Sequence, residues 1–255
     1  MHEKVEKIKR AIRKIVKDSN SKGVVVAVSG GIDSSVVLKL AFLSGVDTYA
    51  LIMPEKEITI DDDVRDAEGL IKSLGVRYSI ININNAFNSI KNSFPWDKFS
   101  NKNKKIAEIN IKPRIRMIFT YLVANLDNRI VLGTGNKSEL LLGYVTKFGD
   151  SAVDIEPIGD LYKTEVFKLA EYLEIPEKII KKKPSAGLWR GQTDEEELGL
   201  SYDIIDKILF YLFDKKYSVE ELAIKLNLDK EVVEKINLRM EINKHKRESI
   251  EIVRL

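Results

Sequence analysis

A chain of 255 residues can bury a sizeable core as one α/β domain, and 42 Lys and Arg against 39 Asp and Glu leave a formal charge of only +3. These charges are spread along the sequence, so no nucleic-acid footprint is present, and the apolar runs fall well short of the roughly 20 residues that a membrane span needs. The absence of cysteine excludes disulfides, thiolate metal sites and every mechanism with a cysteine nucleophile.

Residues 1–20 mix acids with bases and contain no apolar signal core, which predicts a surface helix on a cytoplasmic protein. Residues 24–28 form a buried strand, and 34–43 an amphipathic helix. The stretch GVDTYALIMP is a second strand closed by Pro54. Three aspartates open a helix at 61–74, which ends at Gly75 before the strand-like VRYSIININ. A long helix over 112–126 leads into RIVLGTG, a fourth strand. DIEPIGDLYKTEVFKLAEYL supplies a short fifth strand and a helix, and everything after Ser201 reads helical. Alternation of this kind predicts an α/β fold. Its core is a Rossmann-like open parallel sheet of about five strands, covered by helices on both faces, with additional C-terminal helices. Ligands bind such sheets at the carboxyl ends of the strands. The turn-rich, charged stretch 181–200, KKKPSAGLWRGQTDEEELGL, is expected to be a mobile active-site loop of a single domain spanning 1–255.

The first strand runs into SGGIDSS, which has neither the lysine of a Walker loop nor the spacing of a dinucleotide fingerprint. Gly30 and Gly31 let the backbone turn its N–H groups toward an anion. The following helix adds its positive dipole end, and Ser29, Ser34 and Ser35 offer hydroxyls. Asp33 has two readings at this point. It is either a plain N-cap of the helix or a carboxylate that joins phosphates through a cation. The motif S-G-G-x-D-S after a hydrophobic strand resembles the signature loop of the ATP pyrophosphatases, a superfamily with the adenine nucleotide alpha hydrolase-like fold that cleaves ATP to AMP and diphosphate. The resemblance implies that Ser29, Gly30, Gly31, Ile32, Asp33, Ser34 and Ser35 bind ATP and that Asp33 holds Mg²⁺.

The segment from 132 to 166, LGTGNKSELLLGYVTKFGDSAVDIEPIGDLYKTEV, resembles the active-site crossing of NAD synthetases. KPSAGLW with QTDEEELGLSYDIID resembles their mobile loop, and HKR near the C-terminus their terminal substrate contact. Matched position by position, the resemblance makes Glu139 the second Mg²⁺ carboxylate and places Thr134, Lys163 and Ser185 on ATP, with Ser185 standing where the family has Thr. Arg114, Lys147, Asp154, His245 and Lys246 fall on its contacts to nicotinic acid adenine dinucleotide (deamido-NAD). Read on residue type alone, Glu139, Lys147 and Lys163 are ordinary surface charges. Asp150 either accepts hydrogen bonds from an ammonium ion beside the reacting carbon or caps a turn. The adenine is expected at ALIMP, where Leu51 and Met53 are equally plain core. The run at 181–183 either lies in solvent or helps hold the triphosphate, and Trp189 shields the closed site or simply packs.

The resemblance implies a homodimer with the dinucleotide at the subunit interface, and a reaction in which the nicotinate carboxylate is adenylated by ATP with Mg²⁺ and then amidated. Lacking an amidase segment with a catalytic cysteine, the chain is expected to take free ammonia, unless a separate subunit delivers it. The alternatives are the ATP pyrophosphatase subunit of a GMP synthetase, which should lack the KFGDSAVDIEP and HKR matches, a tRNA-thiolating enzyme, and a nucleotide-binding module without turnover.

Overall fold

The computed structural model describes residues 1–56, 58–189, 191–248 and 252–253. Helix α1 (His2–Asp18) leads into strand β1 (Gly23–Ala27), and helix α2 (Ile32–Leu43) crosses to β2 (Asp47–Ile52). Helix α3 (Asp61–Ser73) then crosses to β3 (Arg77–Ile80). Three helices, α4 (Asn84–Ser93), α5 (Lys104–Ile109) and α6 (Ile111–Asp127), return the chain to β4 (Arg129–Leu132). The strands are parallel in the order β3-β2-β1-β4, with Val25 facing Tyr49 on one side and Val131 on the other.

β1 is a run of valines because both faces of the central strand are covered. Val24 and Val26 join Ala50, Ile52 and Leu132 beneath α1, α2 and the later helix α8 (Lys163–Tyr172), while Val25, Leu51 and Val131 pack against Ile83 and against Ile115 and Ala124 of α6. Two expectations are corrected. α2 is not amphipathic: eight of its residues, including Ser34 and Ser35, are buried, since α1, α3 and α8 close around it. Among the described residues the sheet has four strands and not about five. The segment expected as the fifth makes one bridge, Leu132 to Ile155. Pro157 follows two residues later and has no N–H to continue a ladder.

The later helices are α7 (Lys137–Leu142), α8, α9 (Glu177–Ile180), α10 (Asp194–Leu198), α11 (Tyr202–Leu209) with a π turn at Phe210–Asp214, α12 (Val219–Leu226), α13 (Lys230–Ile242) and α14 (Lys244–Arg247). They enclose a second apolar cluster around Leu142, Ile205, Leu209, Leu222 and Val233. Buried Asp206 of α11 accepts from Ser138 Oγ (2.5 Å) and the Thr164 backbone N–H (2.8 Å), tying this unit to the starts of α7 and α8. Among the described residues no helix is long and apolar enough to cross a membrane.

This strand order fixes the site. From β1 the chain proceeds to β2 and β3 on one side, and β4 lies on the other, so the crevice between the β1 and β4 carboxyl ends is the topological switch point.

Candidate active site

The turn after β1 is shaped by one glycine. Gly30 has φ +84°, and a Cβ there would lie 2.2 Å from the Asp63 carbonyl oxygen at the start of α3. The loop therefore needs Gly30 twice over, for left-handed backbone and for the close approach. Its serines serve the turn itself. Ser29 Oγ accepts from the Gly31 N–H at 3.2 Å, and the hydroxyls of Ser34 and Ser35 donate to the Gly31 carbonyl at 3.1 and 2.8 Å. Buried Ile32 opens α2 and anchors the loop in the core.

Asp33 is not the cap. Gly31 occupies that position, and the Asp33 carboxylate in the first turn of α2 reaches across the crevice instead. It meets the Lys163 ammonium at 2.5 Å through Oδ2 and the Asn136 amide at 3.0 Å through Oδ1. Glu139 comes to the same point from the first turn of α7, the helix that follows β4, 3.3 Å from the Lys163 Nζ. Asn136 makes this possible, its side-chain oxygen capping α7 by accepting from the Glu139 N–H (3.0 Å) while the Glu139 carboxylate accepts from the Asn136 backbone N–H (3.3 Å), a reciprocal capping box. The Lys163 side chain is 2% exposed, against 18% for Asp33 and 16% for Glu139. Burial raises the Glu139 carboxyl above its ordinary range despite the ammonium beside it. Burial alone would lower Lys163, but the two carboxylates more than offset it and hold the amine charged.

The residues matched to the dinucleotide form a chain of contacts. Arg114 of α6 donates to the Lys147 carbonyl (3.1 Å), Lys147 Nζ to the His245 carbonyl (2.6 Å), and Lys246 Nζ to the carbonyls of Gly143 (2.7 Å) and Val145 (3.3 Å). The fifth, Asp154, accepts from the Val131 N–H (2.7 Å) and the Tyr121 hydroxyl (3.2 Å), apart from the other four. Asp150 accepts from the Thr146 N–H at 2.7 Å, closing the turn 146–150 with one oxygen.

Thr134 lies half-buried in the loop between β4 and α7. Ser185 is exposed, its hydroxyl accepting from the Gly187 N–H (3.1 Å). Leu51 and Met53 are core, and the Met53 carbonyl is taken by Arg116 at 3.1 Å. In the basic run, Lys181 pairs with Glu177, whereas Lys182 Nζ is 2.7 Å from Asp63 and 2.6 Å from Asp66 and donates to the Gly30 carbonyl at 3.3 Å. Lys182 thus ties the glycine turn after β1 to the first turns of α3.

Sequence reading missed four residues here. Asn136 is buried and joins the two carboxylates. Asp194, at the start of α10, is 2% exposed, with Oδ2 accepting from Tyr202 (3.0 Å) and Oδ1 unpartnered among the described residues. Glu156 lies beneath the GTGN turn, accepts from the Gly135 N–H at 2.9 Å, and is pushed up to about 8 by burial. Lys112 holds a carbonyl of the 181–200 segment. Of these, Asn136 alone carried a signal: N-x-x-E is a capping-box pattern.

A family model described as NAD synthase matches residues 4–250. An NH(3)-dependent NAD(+) synthetase of Archaeoglobus fulgidus is 53% identical over 207 residues, covering 80% of this chain and 81% of that protein. One from Methanocaldococcus jannaschii is 45% identical, covering 97% and 95%. Among solved structures, an NMN synthetase from Francisella tularensis superposes with a TM-score of 0.86 at 36% identity, covering 100% of this chain and 98% of its own. The NH3-dependent NAD synthetase from Campylobacter jejuni, solved with a nitrate ion, gives 0.82 at 34%, covering 99% of both.

Proposed function

Because the chain belongs to the NAD synthase family, we propose that it is a ligase that amidates the nicotinate carboxylate of deamido-NAD with ammonia, consuming ATP and releasing AMP and diphosphate. The observation that carries the reading is the meeting of Asp33 and Glu139, from the first turns of the helices that follow adjacent strands, on the Lys163 ammonium beside the glycine turn of residues 29–31.

Ammonia cannot expel an oxide from a carboxylate at neutral pH, so the carboxylate is first converted to an acyl adenylate, from which AMP departs readily. The N–H groups of the 29–31 loop and the first turn of α2 receive the departing diphosphate, and Lys163 neutralises the charge that builds on it. The donor set also fits Mg²⁺. Two carboxylates already converge on a single ammonium, and Mg²⁺ is commonly held by one or two carboxylates together with phosphate oxygens and water, so Asp33 and Glu139 would be the residues of this chain that hold it. When bound by Asp33 and Glu139, that ion supplies charge neutralisation at the phosphates. In our reading Thr134 and Ser185 contact ATP, and Arg114, Lys147, Asp154, His245 and Lys246 hold the dinucleotide. Asp150 keeps an ammonium ion near the reacting carbon and takes its proton, and the 181–200 segment excludes water. The whole chain acts as one cytoplasmic domain.

We further propose a homodimer with the substrate at its interface. Ile118, Leu122 and Leu126 are 47, 49 and 86% exposed and follow Arg114 at four-residue intervals along one face of α6. The dimer face in this reading begins at a substrate residue.

The likeness to an NMN synthetase raises the mononucleotide as the other acceptor. The test incubates the protein with ATP, Mg²⁺ and ammonium or glutamine, with either deamido-NAD or nicotinic acid mononucleotide. NAD formed with ammonium supports the proposal. A strong preference for the mononucleotide moves the assignment to that amide, and AMP release dependent on xanthosine monophosphate in its place refutes both.

A further inference from the structure

Lys112 is in the first turn of α6, where a cation opposes the helix dipole, and is 6% exposed. Both costs call for compensation, and its ammonium finds it in two directions. Nζ donates to the Leu188 carbonyl at 2.8 Å and lies 2.9 Å from the Glu55 carboxylate, with the Phe87 ring centroid 5.3 Å away. Glu55 is 5% exposed and sits just past the end of β2, its backbone N–H donating to Thr59 Oγ1 at 2.9 Å. The same first turns of α6 hold two other walls of the site, Arg116 the Met53 carbonyl and Arg114 the Lys147 carbonyl.

Leu188 is held from the opposite side as well. Its N–H donates to Gln192 Oε1 (2.8 Å), and Gln192 Nε2 donates to Glu197 (3.0 Å) and the Tyr144 hydroxyl (3.2 Å). The next residue, Trp189, has Lys105 of α5 5.6 Å from its ring centroid. The flanking glycines, Gly187 (φ +62°) and Gly191 (φ +78°), adopt left-handed backbone with nothing within 4 Å of where a Cβ would be, so the bends around Leu188 are not packed in place. The apolar clusters of the fold include neither Leu188 nor Trp189. Polar contacts to α5, α6 and Gln192 are what seat this stretch.

We propose that Lys112, oriented by Glu55, is the positioning residue that latches the Leu188–Trp189 stretch to the start of α6, so that the segment running on to Asp194, which accepts from Tyr202 with the Lys163 Nζ 5.4 Å from the centroid of that ring, keeps water from the activated intermediate. This rests on the ligase reading above. When the latch opens, water adds to the acyl carbon of the adenylate, AMP leaves with the bonding electrons, and the two protons of that water are lost to solvent. The original carboxylate returns and ATP is spent without amide. The readout is therefore the ratio of AMP released to NAD formed, which a residue that merely adds stability does not move.

K112M leaves the Glu55 carboxylate buried without a partner. The E55Q/K112M variant removes both charges, and K112R retains a donor. Each is made in a W96F background, where Trp189 is the sole tryptophan. We expect K112M and E55Q/K112M to raise the AMP-to-NAD ratio at least fivefold at limiting ammonium, to raise acrylamide quenching of Trp189 severalfold without substrates, and to leave KM for ATP within about twofold. K112R should restore most of the coupling. Folded E55Q/K112M protein with parental quenching and parental AMP-to-NAD ratio overturns the proposal. If the parent makes no NAD at all, the ligase reading fails instead, while Trp189 quenching still reports on the latch.

Discussion

Replacing Lys163 with methionine keeps most of the aliphatic stem and deletes the charge on which the site converges. Two carboxylates, 18 and 16% exposed, are then left facing one another without the ammonium now 2.5 and 3.3 Å away. Removing one member of a buried ion pair costs about 3–5 kcal/mol. For a chain of this size each kcal/mol lowers Tm by about 2–4 °C, so the loss is on the order of 10 °C. The assay is thermal unfolding with and without MgCl₂. Wild-type protein must displace Lys163 from the carboxylates before a divalent cation binds, whereas K163M presents them unoccupied. Magnesium at a hundredfold excess over its Kd should therefore return about 2.7 kcal/mol to K163M and less to wild type. Diphosphate release should be lost in K163M at any Mg²⁺ concentration, because the ion cannot replace the ammonium at the leaving phosphates. A K163M protein as stable as wild type, or one that gains no more from Mg²⁺ than wild type does, would refute the argument that these carboxylates form a cation site.

Gly30→Ala must adopt left-handed backbone and push its Cβ away from a carbonyl oxygen 2.2 Å distant, for a loss of about 2–4 kcal/mol in urea unfolding, whereas Gly31→Ala, whose Cβ meets only Ser29 Oγ at 3.3 Å, should cost under about 1 kcal/mol. Equal losses would show that the approach to α3 is not what constrains the turn. Glu156 has its folded pKa raised to about 8 from 4.5, so its contribution is intact below the unfolded value and is lost as pH rises through this window. E156Q, which mimics the protonated form, should match wild type at the acid end and exceed it near pH 8 in urea midpoint; parallel curves would count against the assignment. Leu122→Glu places a charge in the exposed α6 stripe and, on the proposed dimer, should halve the mass seen by light scattering and make the unfolding midpoint independent of protein concentration. A variant that stays at the wild-type mass refutes the proposed dimer face on α6.

The α/β alternation, the glycine turn and the helix that follows it were legible because each is a local pattern: a valine run buried on both faces, a glycine needing φ +84°, a helix that begins at once. Even there the sequence misled on α2, since Ser34 and Ser35 look solvent-facing until their hydroxyls are seen folded back onto the Gly31 carbonyl. The missing fifth strand shows how local propensity yields to ladder chemistry. The backbone pairs through Asp154 N–H to Val131 and Gly133 N–H to the Ile155 carbonyl, and Pro157 then has nothing to donate. What no local pattern could supply is the set of pairings made across the fold. Lys163 meets Asp33 across 130 residues of sequence, and Lys112 meets Leu188 across 76, through a main-chain carbonyl that bears no residue identity at all. Glu139 shows the same limit from the other side. Its capping box with Asn136 is written in the sequence, yet that box alone would leave it an ordinary first-turn glutamate. It becomes part of a site only because β4 lies beside β1, so that the first turns of α7 and α2 face one crevice. Strand order, rather than residue type, turns two unremarkable helix-start acids into a pair that requires a cation between them.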